Sequence, residues 1–309
     1  MVSSPIGIGI VGVGKIVRDQ HLPALAADGD YRLVAAASRH GKVEGVRNFE
    51  TIAAMIGAVP ELEAVSLCMP PRFRFDAARV AIEAGKHVFL EKPPGATVSE
   101  VEHLKALAAA GRVSLFASWH SRYAPAVEAA RAFLASTRIR TASIVWKEDV
   151  RRWHPGQQWI WEPGGFGVFD PGINALSIAT HILPAMFITS ASLDFPDNRD
   201  APIAARIAFR TLDGVAVAAE FDWRQTGPQS WDVMAETEAG SMVLSGGGTR
   251  LAVDGRTVHD EPEAEYPMLY RRFAEIIRAG TSDVDLAPLQ HVADAFMLGK
   301  RNVVDPFLD

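Results

Sequence analysis

The sequence predicts an α/β chain of two domains: a doubly wound parallel sheet, then an α+β domain built on a large, open, mainly antiparallel sheet. Three observations predict it. Up to His120, short apolar runs without alternation are separated by helical stretches, the pattern of a parallel sheet covered on both faces. The first run is studded with glycines, Gly7, Gly9, Gly12 and Gly14. After His120 the pattern turns to strands joined by turn signals and closed by helices. Domains commonly span roughly 100–200 residues, so a chain of 309 residues favours two, with a boundary expected at Ser121 and domains over 1–121 and 122–309.

In chain order, Ile6–Val11 is the first strand and Arg18–Ala27 the first helix. Leu33–Ala37 and Ala64–Met69 are the second and third strands. Phe75–Ala84 is helical and stops at Gly85. His87–Leu90 is the fourth strand, Ser99–Ala110 a helix ended by Gly111, and Val113–Ser118 the fifth strand. Right-handed crossovers between such strands make the domain doubly wound. In the second half, Ala124–Ala135 reads as a helix. Ile139–Val258 is strand-rich, with hairpin signals at Asp213-Gly214 and Asp254-Gly255, and a helix interrupts it over Asp170–Leu183. Tyr270–Ala279 and Leu289–Gly299 are the closing helices.

Composition narrows the function. Hydrophobic residues make up 48% and charged residues 22%, as in a globular enzyme, and the net charge is −6. Without a Lys/Arg-rich run, nucleic acid and membrane are not expected partners. The one cysteine, Cys68, rules out an intrachain disulfide and a cysteine-based zinc site and suits a reducing cytoplasm. Met1–Pro5 lacks the basic region of a signal peptide, and no run approaches the ~20 apolar residues of a membrane span. The histidines show no metal-binding spacing, so no metal is expected.

The glycine cluster, Gly9-Ile10-Val11-Gly12-Val13-Gly14-Lys15-Ile16-Val17, lies after a strand and before a helix, where the dinucleotide-binding fingerprint of a Rossmann domain belongs. Gly12 permits the tight turn and Gly14 the close approach of a pyrophosphate. Lys15 and Ile16 begin the helix whose free N–H groups face it. The third small position is Val17, which predicts looser helix–strand packing. The second strand runs into Ser38-Arg39-His40 with no carboxylate for a ribose 2′-hydroxyl. Ser38 can donate a hydrogen bond and Arg39 can pair with a 2′-phosphate, so NADP is the expected cofactor, with NAD left open. A solvated loop arginine is the alternative reading of Arg39. Cys68 and Pro70, at the tip of the third strand, are placed near the nicotinamide ribose. Cys68 has no His or Lys beside it in the chain and is expected to be a small buried apolar residue.

Glu91-Lys92-Pro93-Pro94 follows the fourth strand. A lysine at such a tip faces the cofactor crevice, and the proline after it is a candidate for a cis bond. Together with the glycine cluster and Gly164-Gly165 ahead of Asp170, this segment resembles the Gfo/Idh/MocA oxidoreductase family, and the resemblance covers the whole chain. It implies a Rossmann domain followed by an open-sheet domain whose face forms the substrate site. It also implies Glu91 and Lys92 beside the nicotinamide, Lys92 near the substrate hydroxyl, and a homo-oligomer, dimeric or higher. Trp119–Tyr123, Trp146–Trp161 and Gly164–Asn174 resemble the branch that oxidises aldopyranoses, L-arabinose and D-galactose, at C1 to the lactone. Many members carry a histidine four residues after the aspartate; here Asn174 stands there, as in that branch.

The residues support this reading on their own. Asp170 and Asn174, four apart on a helix, share a face. Oxidation at C1 needs a base for the hydroxyl proton while hydride departs to the cofactor. Asp170 is the first choice of base, Lys92 its rival or the partner of the developing alkoxide, and Asn174 orients. An aspartate merely serving the helix dipole is the alternative. Asp170 and Lys92 are expected to converge on the C1 hydroxyl. Glu148 shares a strand face with Trp146 and Val150, opposite Lys147 and Asp149, and is a candidate sugar ligand. So are His154, in a Trp- and Gly-rich loop, and His120, at the end of the fifth strand, where a structural histidine is the competing reading. Trp153 and Trp231 are candidates to stack on the pyranose ring. A non-catalytic NAD(P)-binding sugar sensor, or a dehydrogenase for another polyol, stays open as an alternative.

Overall fold

The computed structural model describes residues 4–308. In chain order it runs β1 (Ile6–Val11), α1 (Leu22–Ala27), β2 (Tyr31–Ala37), β3 (Arg47–Phe49), α2 (Ile52–Ala58), β4 (Ala64–Leu67), α3 (Arg74–Glu83), β5 (His87–Glu91), α4 (Val98–Gly111) and β6 (Leu115–Ser118). These six strands form one parallel sheet in the order β3-β2-β1-β4-β5-β6. The apolar runs predicted this: Ile8, Ile10, Val65, Leu67, Val88 and Leu90 are fully or almost fully buried, as strands covered on both faces require. Thr97 caps α4 by accepting from the Glu100 N–H at 3.2 Å, and the helix ends where Arg112 turns left-handed at φ 53°.

Three details depart from expectation. The short edge strand β3 has no apolar run to announce it. β4 ends at Leu67, two residues early, because Met69-Pro70-Pro71 turns the chain into a 3-10 turn at Pro71–Phe73. The first helix opens on a widened, π-helical turn over Val17–His21, with Val17 fully buried where the fingerprint has a small residue.

The second half contains α5 (Val127–Ala135), β7 (Ile139–Lys147), α6 (Val150–Trp153), α7 (Phe169–Ile182), β8 (Met186–Pro196), β9 (Ala204–Thr211), β10 (Ala216–Asp222), β11 (Ser230–Thr237), β12 (Gly240–Ser245), β13 (Arg250–Val253) and β14 (Arg256–Asp260). It is followed by α8 (Glu265–Ala279), α9 (Ala287–Leu298) and β15 (Gly299–Val304). The nine strands form one sheet in the order β14-β13-β12-β11-β7-β10-β9-β8-β15. It is antiparallel except at β7–β10 and β8–β15. Both predicted hairpins are present. At the β13–β14 turn, Asp254 and Gly255 both have positive φ, 48° and 74°, as a tight turn matched to strand twist requires. Helices α5, α7 and α9 pack on this sheet. The strand β15 was not foreseen; its exposed Lys300, Arg301 and Val303 give no buried alternation to read.

The chain divides into two compact units at His120/Ser121, but they are not the contiguous domains 1–121 and 122–309. Glu265–Leu286 returns to the first unit, and the second comprises Ser121–Ala264 and the chain from Ala287 onward. The cause is burial. Tyr270 of α8 stacks on Phe89 with ring centroids 5.1 Å apart, and Phe273 packs on Phe89 and Phe116. Beyond the helix, Asp283 continues the first sheet: its carbonyl accepts from the Ala117 N–H and its N–H donates to the Leu115 carbonyl. No helix among the described residues is long and apolar enough to cross a membrane.

Candidate functional site

In the first unit the fingerprint glycines have distinct roles. Gly12 has φ 87°, and a Cβ there would stand 2.7 Å from the Met69 backbone nitrogen, so turn geometry and the neighbouring loop both require glycine. A Cβ at Gly14 would meet no protein atom within 4 Å, which leaves open space before an exposed backbone. A tight turn, an open glycine and a helix start fit a dinucleotide pyrophosphate. Ile16 is exposed at this helix start, and Lys15 pairs with Asp19 on the surface. Ser38 follows β2 and its Oγ accepts from the Gly41 N–H at 3.3 Å, while Arg39 and His40 are exposed. Pro70, partly exposed, immediately precedes the 3-10 turn after β4.

Cys68 departs from expectation. It is partly exposed, and its Sγ lies 3.6 Å from Nε2 of His21 and 3.5 Å from Oγ of Ser66. The chain offered no adjacent imidazole; the fold brings one from 47 positions away. His21 is fully buried and also bonds the Tyr270 hydroxyl at 2.7 Å and pairs with Glu91 at 3.3 Å. Burial opposes charge on His21, yet Cys68, Tyr270 and Glu91 together hold its imidazole well above its usual value.

Glu91 sits at the end of β5 with both carboxylate oxygens engaged. Oε1 accepts from the Tyr266 hydroxyl at 2.6 Å and faces His21, and Oε2 accepts from the Lys92 N–H at 2.6 Å. Burial works against its charge, but His21, His120 and Tyr266 hold the carboxyl down to about 2. The Lys92–Pro93 peptide is cis, and Lys92 is half-buried. His120 hydrogen-bonds Glu265 and stacks on Tyr266 with centroids 5.7 Å apart. The structural reading of this histidine therefore has its partner, in a residue 145 positions away.

In the second unit the loop ahead of α7 fixes Asp170. At Gly165 a Cβ would stand 2.1 Å from the Trp159 carbonyl oxygen, and at Gly167 (φ 53°) it would stand 2.4 Å from that of Pro202. Those close approaches let Val168 N–H donate to Pro202 at 2.7 Å and Asp170 N–H to Gly167 at 2.8 Å, which starts the helix. Asp170 is buried, and its Oδ2 lies 3.3 Å from Nε2 of His154. The expected base and a candidate sugar ligand are thus one pair. His154 Nδ1 faces Gln157 Oε1 at 3.5 Å, so the ring lies between two acceptors. Asn174, half-buried, follows one turn after Asp170 on α7.

Glu148 is buried, as strand alternation with Trp146 and Val150 predicted. Two indoles hold it: Trp223 Nε1 donates to Oε1 at 3.3 Å and Trp231 Nε1 to Oε2 at 3.0 Å. Trp153, 39% exposed, leans on Trp231 with centroids 5.6 Å apart. Trp223 was missed by sequence reasoning. It is fully buried and its ring also lies 5.3 Å from that of His154, so it joins Glu148 to the His154–Asp170 pair. The continuing alternation of Phe221 and Trp223 past β10 was the one available signal. Among the described residues no group of three or more His, Cys, Asp or Glu is placed to hold a metal ion.

A dinucleotide-binding parallel sheet joined in one chain to an open sheet bearing a carboxylate–imidazole pair defines a nicotinamide-dependent oxidoreductase. The chain belongs to the Gfo/Idh/MocA family: residues 6–118 match the model of the oxidoreductase family with an NAD-binding Rossmann fold. It is 43% identical over 307 residues to a galactose 1-dehydrogenase of Pseudomonas fluorescens, covering 99% of both chains. The crystal structure of a D-galactose-1-dehydrogenase from Rhizobium etli is 68% identical and superposes with a TM-score of 0.97, over 100% of this chain and 99% of that one. A 3-ketoreductase from Actinomadura kijaniata, 19% identical, shares the fold with a TM-score of 0.83 over 97% of this chain and 99% of its own.

Proposed function

We propose that the protein oxidises D-galactose at C1 to the lactone with NADP or NAD as hydride acceptor, NADP being preferred. The full-length likeness to the Rhizobium etli D-galactose-1-dehydrogenase, at 68% identity, carries the substrate assignment. L-arabinose, which differs from galactose only at the C5 substituent, has no such support. The exposed Arg39 and the absence of a carboxylate in Ser38-Arg39-His40 support the preference for a 2′-phosphate.

When bound, the nicotinamide supplies the hydride acceptor. Asp170 takes the C1 hydroxyl proton, and His154, 3.3 Å from its Oδ2, orients the carboxylate. Lys92 stabilises the developing alkoxide. Asn174 orients a ring hydroxyl from the face it shares with Asp170. Glu148, presented by two indoles, accepts from sugar hydroxyls, and Trp153 with Trp231 offers an aromatic surface to the ring. The products are the lactone, the reduced cofactor and a proton, which balances the reaction.

An aldose and polyol panel with both cofactors, followed by the absorbance of reduced nicotinamide, tests the assignment. Galactose with NADP should turn over fastest. No turnover with any sugar would favour a sensor; turnover only with a non-aldose polyol would move the substrate class. Asp170→Asn should lower turnover by ~10²–10⁴, the scale of a positioned base. Its melting temperature and NADPH fluorescence titration should stay close to wild type. Near-full activity in that variant would pass the base role to His154.

A further inference from the structure

Arg74 is a charged residue with 2% of its surface exposed, and the reaction as derived above does not use it. It begins α3, immediately after the 3-10 turn at Pro71–Phe73. Its guanidinium donates to three backbone carbonyls: Nη1 to those of Glu91 and Pro93, and Nη2 to that of Met69. Glu91 and Pro93 are the two residues flanking Lys92. From the other side, the Lys92 N–H is taken by Glu91 Oε2 at 2.6 Å, and that carboxylate is in turn held by Tyr266 at 2.6 Å. Burying a guanidinium is costly unless its donors are satisfied. Here Nη1 and Nη2 are aimed at the carbonyls of the residues on either side of Lys92 and at the neighbouring strand's loop.

We propose that Arg74 is a positioning residue for Lys92: its guanidinium fixes the carbonyls before and after the lysine, while Glu91 fixes the N–H between them. The lysine then leaves a backbone with little freedom to rotate, and its ammonium is delivered from one direction. The planar fork suits the task because it spans several acceptors at once, which a lysine's single ammonium at the same place does less well. The Met69 contact ties the same clamp to the loop that also packs on Gly12. The proposal rests on Lys92 acting at the substrate hydroxyl.

The test uses Arg74→Met, Arg74→Lys, Lys92→Ala and the double variant Arg74→Met/Lys92→Ala in the full chain. A displacement on the order of 1 Å at a catalytic group lowers rate by about 10²-fold, so Arg74→Met should lose roughly 10- to 100-fold in kcat. The galactose KM and the NADPH dissociation constant should change by less than about threefold, and Arg74→Lys should recover part of the rate. The double variant should be no slower than Lys92→Ala alone, because Arg74 acts only through the lysine. A second readout needs no turnover. After reductive methylation with a carbon-13 label, the NMR signal missing from Lys92→Ala identifies Lys92, and that signal should move in Arg74→Met apoprotein. If Arg74→Met does not fold, Arg74→Lys replaces it in each comparison. Wild-type kcat in a folded Arg74 variant, multiplying losses in the double variant, or an unmoved Lys92 signal each overturns the proposal. If Lys92→Ala keeps full turnover, the catalytic reading of Lys92 falls, and the NMR signal alone then decides whether Arg74 positions it.

Discussion

Glu148→Gln keeps the shape of the side chain but exchanges one carboxylate oxygen for an NH2 group. Two indole N–H groups donate to that carboxylate, from Trp223 at 3.3 Å and Trp231 at 3.0 Å. Whichever way the amide turns, one indole donor faces another donor. Glu148 is only 6% exposed, so water offers little relief. A buried donor without an acceptor costs about 1–3 kcal/mol. At ~2–4 °C per kcal/mol for a unit of roughly 150–250 residues, the melting temperature should fall by about 2–12 °C. Trp231→Phe removes one of the two donors and keeps an aromatic ring. In that background the Gln oxygen can turn to Trp223, and the same substitution should cost roughly 1–3 kcal/mol less. A double-mutant cycle on urea denaturation measures the difference. If Glu148→Gln costs the same in both backgrounds, the two indoles do not hold the carboxylate and the account of its placement is wrong.

Arg39→Asp should raise the KM for NADP by about 10- to 100-fold, the loss of a charge-assisted contact of ~1.5–3 kcal/mol, and change that for NAD far less; equal effects would remove Arg39 from cofactor choice. Gly14→Ala should melt like wild type, since its Cβ meets nothing within 4 Å, yet weaken NADPH binding by about tenfold or more. Gly12→Ala should instead destabilise the fold by over ~1 kcal/mol, because of its φ of 87° and the Met69 nitrogen 2.7 Å from the added Cβ; a stable Gly12→Ala chain with normal cofactor affinity would contradict both roles. For His120, burial disfavours charge, but Glu265 and Glu91 outweigh it and Lys92, holding the imidazole above 6.5. A raised folded-state value gives stability that is fully present below about pH 6.5 and is lost as pH rises through the folded value. The stability lost in His120→Gln should therefore be greatest on the acid side of neutrality and shrink toward alkaline pH, as followed by urea melts; a pH-independent loss would show that the His120–Glu265 contact carries no charge.

The first sheet was legible because its signals are local: each apolar run is a strand, and the glycines and Glu91-Lys92-Pro93 stand at strand ends where the topology needs them. The return of Glu265–Leu286 to that unit was not legible. An amphipathic helix announces an apolar face but not the surface it will meet, and Phe89 and Phe116 lie far away in sequence. The open sheet was legible as a class through its two Asp-Gly turns. Its strand order was not, because β7 pairs in parallel with β10 across some seventy intervening positions and no turn signal records a crossover of that length.

At the site, sequence reasoning named candidate side chains one by one and could not say which of them meet. Asp170 was read as the base and His154 as a sugar ligand, because spacing along a chain does not show which residues meet in space; in the fold the two are a pair at 3.3 Å. Glu148 was found through alternation, but the donors that hold its buried carboxyl group came from two other strands' ends. Arg74 was invisible for a sharper reason. A sequence shows side chains only, and Arg74 donates to three backbone carbonyls, groups that every residue carries and none advertises. A buried arginine that donates to main-chain carbonyls is therefore a kind of residue that side-chain patterns along a sequence do not reveal.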